Sequence, residues 1–94
     1  MERISEKSLR ARVGYIAKSL ERLGKLPENH TVHLSRMQPG DGVRWQIEIV
    51  DRDGSGITAC YPRGGHWRTQ DFDRYLDGML DAFDMIEHRL GPTP

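Results

Sequence analysis

Between Ser5 and Leu23, apolar side chains recur at Leu9, Val13, Ile16, Leu20 and Leu23 in steps of four and three, the spacing that places them on one face of a helix. The stripe is narrow, closer to a seam than to a broad core face. From His30 the period drops to two. Val32 and Leu34 alternate with His33 and Ser35, Trp45, Ile47 and Ile49 alternate with Arg44, Gln46 and Glu48, and Ile57, Ala59 and Tyr61 alternate with Thr58 and Cys60. Strict alternation is the pattern of a half-buried strand. Helical spacing returns with Phe72, Leu76, Met79, Phe83, Ile86 and Leu90. With Tyr75, Leu80 and Ala82 the apolar arc widens to roughly 160°, enough to cover a sheet.

Turn residues fall between these segments. Gly24 and Pro27 stop the first helix, and Pro39-Gly40-Asp41-Gly42 and Asp51-Arg52-Asp53-Gly54-Ser55-Gly56 join the strands. Thr69 is placed to cap the last helix, with Asp71 in its first turn, and Gly91-Pro92 ends it. The sequence thus predicts a helix over 5–23, strands over 30–37, 43–50 and 57–61, a loop over 61–68 and a helix over 69–90, with residues 1–4 and 92–94 frayed. Short links favour antiparallel neighbours. The expected fold is α+β, in the order α-β-β-β-α, a three-stranded antiparallel meander with both helices on one face and the other face polar.

Ninety-four residues make one domain, 1–94. At 36% hydrophobic and 30% charged residues the core is lean, so a dimer interface would help stability. The net charge of zero hides an asymmetry: residues 1–27 carry seven basic against three acidic side chains, and residues 69–94 carry two against six. Such polarity speaks to association and steering. Cys60 has no partner for an intramolecular disulfide, and no apolar run approaches a membrane span, so a cytoplasmic, non-membrane protein is expected.

Asp73, Asp77, Asp81 and Asp84 lie along one side of the last helix, within a strip of roughly 80°. Like charges at this spacing suggest a cationic partner, a metal or tolerated repulsion. Metal chemistry is poorly supplied. Asp51 to Gly56 resembles the opening of a calcium loop but has Pro62 at the twelfth position, and is read as a hairpin turn. His30 and His33 point to opposite faces of a strand. Cys60 and His66 supply only two ligands, and Asp81, Asp84 and His88 could together hold a metal but are outweighed by the reading as a solvated helix face. No metal or cofactor is assigned, and no nucleophile, base and oxyanion donor can be assembled into an enzyme site.

Tyr61-Pro62-Arg63-Gly64-Gly65-His66-Trp67-Arg68 is the densest group of recognition residues. Arg and Trp bring large contact area and directional donors, so Arg63, His66, Trp67 and Arg68 are candidate partner-binding residues beside the four aspartates; the competing expectation is that Trp67 folds back as a lid. Trp45, in phase with Ile47 and Ile49, is expected in the core. Arg36, Arg44, Arg63 and Arg68, with His33, Gln46 and Thr58 around the open sheet face, form an alternative nucleic-acid surface. In element order the chain resembles a double-stranded-RNA-binding domain, which also runs α-β-β-β-α. That family's lysine-rich entry to its last helix is here Trp67-Arg68-Thr69-Gln70-Asp71, and its basic last helix is here acidic. Val43 to Phe83 is more loosely similar to the strands-then-helix DNA-binding domains of phage-type recombinases.

The leading expectation is a non-enzymatic protein-protein interaction or regulatory module, self-associating as a homodimer through its charge-polarised helices and using the Arg/Trp loop. Nucleic-acid binding is the alternative. A further variant has the aspartate strip imitating phosphates and occupying another protein's nucleic-acid site.

Overall fold

The computed structural model describes residues 4–53 and 56–88. The first helix, α1, runs Glu6–Arg22. Ser5 caps it, its hydroxyl oxygen accepting the Ser8 N–H at 3.1 Å. At the other end Gly24 takes a left-handed φ of 68°. The Gly24 N–H then reaches the Glu21 carbonyl at 3.0 Å and the Lys25 N–H reaches that of Leu20 at 2.9 Å. This paired closure satisfies carbonyls that the helix leaves open, and it needs a residue without Cβ strain at position 24.

Strands β1 (His30–Met37), β2 (Arg44–Asp51) and β3 (Ile57–Tyr61) form the expected antiparallel meander, order β1-β2-β3. Paired residues share a side of the sheet. Val32 with Ile49, Leu34 with Ile47 and Ile47 with Tyr61 therefore face the helices, and His33 with Glu48 and Ser35 with Gln46 face away. The register slips between Ile49 and Val50, leaving Thr58 as an extra residue in β3. The Asp51–Gly56 connection closes as a hairpin, the Asp51 N–H donating to the Gly56 carbonyl at 3.2 Å.

Two expectations need correction. Residues 61–68 are not all loop: Trp67–Arg68 forms a fourth short strand, β4, antiparallel to β2 through Trp45–Trp67 and Arg44–Arg68. Since β3 pairs with the far half of β2, β3 and β4 lie end to end along one edge, and residues 62–66 are an excursion between them. Nor does Arg36 stand on the open face. It pairs with Trp45 on the helix side, its guanidinium 5.9 Å from the indole centroid and 3.7 Å from Glu6. The last helix, α2, runs Thr69–His88. The expected continuation to residue 90, the Gly91-Pro92 stop, the frayed end at 92–94 and the Gly54-Ser55 tip lie outside the described residues, as do 1–3 of the end expected frayed over 1–4, where Ile4 instead packs against the core.

The core is Leu9, Val13 and Ile16 from α1, Leu34 from β1, Trp45 and Ile47 from β2, and Phe72 and Leu76 from α2. Trp45 is buried as expected, its indole N–H donating to Thr69 Oγ1 at 2.8 Å. Thr69 thus stands at the start of α2 with its hydroxyl engaged by the core instead of by its own helix. Burial fades along α2: Met79, Leu80 and Phe83 are half covered, and Met85 and Ile86 are exposed. Arg12 meets Asp73 and Asp77, and Arg22 meets Glu87. Ten residues separate each set, so α1 and α2 lie side by side and run in the same direction.

Candidate partner-binding groove

The excursion between β3 and β4 folds over the outward face of the sheet. Gln46, opposite the gap between the two strands, is buried and donates from Nε2 to the Pro62 carbonyl at 3.0 Å. His66 reaches across β2 to β1, its Nε2 lying 2.9 Å from Ser35 Oγ. The reversal uses Gly64 at φ 97° and Gly65 at φ 129°, backbone conformations that a side chain would strain. These anchors settle where β4 lies and therefore where Trp67 and Arg68 point.

Trp67 sits on the helix side of β4, 40% exposed, and meets Tyr75 edge to face with centroids 5.2 Å apart. It is neither fully a lid nor free. Tyr75 is fixed in turn by stacking on buried Phe72, 6.4 Å between centroids. Desolvation raises the Tyr75 phenol pKa above its ordinary value. Because residues three and four apart share a helix side, Asp71 brings Arg74 and Tyr75 to the same flank of α2. Together with His66, Trp67, Arg68 and Arg44 they line a groove of about 600 Å³ beside β4.

Two of the groove's arginines are braced from behind. Asp41, in the β1–β2 turn, accepts from Arg44 at 2.6 Å and from Arg68 at 3.1 Å. The Arg44 hydrogen bond, aided by the nearby Arg68 charge, holds the Asp41 carboxyl below the usual aspartate range. Arg44→Gln is accordingly expected to move the Asp41 titration midpoint upward, measured by carboxyl-carbon NMR. A group with a depressed folded pKa stabilises above its unfolded pKa, and that contribution disappears as pH falls through the folded value. Arg74 makes no ion pair among the described residues.

The expected site residues divide. His66, Trp67 and Arg68 converge on the groove, whereas Arg63 lies away from it, 5.9 Å from the Tyr61 ring centroid. Asp73 and Asp77 are already engaged: Arg12 bonds Asp73 Oδ1, donates to the Asp73 carbonyl at 3.2 Å and reaches Asp77 Oδ1 at 2.8 Å. Among the described residues Asp84 has only His88, at 3.7 Å. Asp81 is exposed and makes no ion pair among the described residues. The strip is therefore half engaged within the chain, and among the described residues Arg12 and Arg22 are the basic side chains of α1 that pair with α2. Arg22 and Glu87 complete this at 3.0 Å, which holds the Glu87 carboxyl below its ordinary range.

The alternative set is scattered. Arg36 is on the helix side, Arg44 and Arg68 share Asp41, and Arg63 covers Tyr61. Among the described residues no group of three His, Cys, Asp or Glu side chains is placed to hold a metal, and no helix is long and apolar enough to cross a membrane. Arg74 and Tyr75 were not expected in the site; their signal was the three- and four-residue spacing from Asp71, just after the recognition loop. No family model, curated protein or solved structure matches this chain.

Proposed function

We propose that the protein is a small non-enzymatic interaction module that captures a protein partner in the groove between β4 and α2. The observation that supports this most is the pairing of half-exposed Trp67 with Tyr75 beside Arg44, Arg68 and Arg74. Aromatic and arginine side chains at a concave site are the residue types that dominate binding energy at interfaces. Arg44, Trp67, Arg68 and Tyr75 are held in place before any partner arrives, by the β2–β4 pairing, the Asp41 brace and the stack on Phe72, which lowers the ordering cost of association.

Self-association belongs to the same reading but rests on a different surface from the charged helix faces. Arg12 and Arg22 already meet Asp73, Asp77 and Glu87 inside one chain. What remains is the far end of the helix pair, which has exposed Met85 and Ile86 on α2 and a cleft of about 530 Å³ lined by Arg22, Leu23, Glu87 and His88. One experiment addresses both parts: affinity capture from nuclease-treated native lysate, with untagged protein added, comparing the wild type with Trp67→Ala. The expected result is nuclease-resistant capture of a partner lost in Trp67→Ala, with the untagged copy retained by both baits. Capture that vanishes with nuclease, or that ignores the Trp67 change, rejects the groove as a protein site.

A further inference from the structure

We infer that the groove's occupant is an extended acidic peptide segment, with one apolar side chain seated against Trp67 and Tyr75 and a carboxylate held by Arg74 and Arg68. The inference rests on the groove being a protein-interaction site, as proposed above, and adds the chemistry of what it accepts.

Three features of the site lead to this class. The first is the edge. Within the described residues β4 pairs with β2 alone, so no second strand is bonded to Trp67–Arg68, and the groove beside this short strand is where an extended segment would lie. The second is the aromatic corner. An edge-to-face contact at 5.2 Å leaves ring surface of half-exposed Trp67 uncovered, a seat for an aliphatic or aromatic side chain in step with the strand. The third is charge. Arg74 has no ion-pair partner among the described residues, and Arg68, with a 62% exposed side chain, shares Asp41 with the closer Arg44. Those two guanidinium groups offer forked donors that match a carboxylate.

The same inventory argues against a nucleic-acid strand. Binding that matters at physiological salt takes about six or more phosphate contacts. The groove brings three arginines, and Asp41 and Asp71 stand beside them. Two carboxylates in the site repel a continuous polyanion. They tolerate a peptide, whose charges are discrete and whose main-chain N–H groups can donate to Asp71.

The test is a selection of phage-displayed random dodecapeptides on the immobilised protein, followed by anisotropy titration of the enriched peptides and of a fluorescein-labelled oligothymidylate. The expected result is enrichment of peptides with Asp or Glu next to Leu, Ile or Phe. Their affinity should fall about 30-fold in Trp67→Ala and about tenfold in Arg74→Glu, both variants keeping the wild-type circular dichroism. Enrichment of neutral or basic peptides that still depend on Trp67 overturns the acidic class and leaves the interaction site standing. Tight Trp67-dependent binding of oligothymidylate, with no peptide enriched, overturns both and points to a single-strand site. Enrichment indifferent to Trp67, or no binding of either kind, also removes both.

Discussion

Phe72→Ala is expected to lower the stability of the domain by about 3–5 kcal/mol, the largest loss from any single side chain of α2. Phe72 has no exposed surface, touches the core shared by both helices and the sheet, and supports Tyr75 by stacking. Truncation removes its transfer free energy and leaves a cavity that the seven other buried hydrophobic residues described have little spare mass to fill. A chain of 94 residues has roughly 5–15 kcal/mol in all, so a large share disappears with one ring. Urea unfolding followed by circular dichroism gives the number. A contrasting variant, Phe83→Ala, changes a half-covered side chain near the end of α2 and should cost about 1–2 kcal/mol. Equal losses at the two positions would mean that the core is not centred where Phe72 and Leu76 meet Trp45.

Arg12→Met is expected to cost about 2–3 kcal/mol, a large effect for a charged helix residue. The guanidinium side chain is only 17% exposed and bonds two carboxylates and a main-chain carbonyl, so its loss leaves Asp73, 26% exposed, without a counter-charge. Asp77 is 63% exposed and can return to water, which is why the estimate stays below the figure for a fully buried pair. Asp73→Asn in the Arg12→Met background should recover about half of the loss, because the stranded charge is then gone. The double-mutant cycle in urea measures this coupling. Additive effects of the two substitutions would show that the helices are held by apolar packing alone.

The periodicities of three strands and two helices were legible because each spans several repeats and each boundary carries Gly, Pro or a capping serine. β4 was not. Two residues contain no period, and Trp67–Arg68 is a strand only because the ends of β2 and the anchored excursion present it with a partner. The phase of Arg36 was available and missed: positions 32, 34 and 36 share a side, so the alternation that buries Leu34 also turns Arg36 toward the helices. The opposite charges of the first and last helices suggest association, but sequence does not say whether such charges meet inside one chain or between two. Arg12 and Arg22 answer that by geometry, through a parallel helix pair whose separations match. For the groove, the loop motif located Trp67 and Arg68. Arg74 and Tyr75 come from their place on the first turns of α2, where Tyr75 counts toward the apolar arc and Arg74 carries no signal of its own beyond its spacing from Asp71.

Parallel helices add their peptide dipoles instead of cancelling them. The positive pole falls near the start of α2, where Arg68 and Arg74 stand, and the negative pole falls toward Asp81, Asp84 and Glu87. A molecule with zero net charge thus has two electrical ends. A charged surface exerts little pull on such a body from a distance but a torque once it is near, so an acidic partner would meet the groove end first and the encounter would be already oriented.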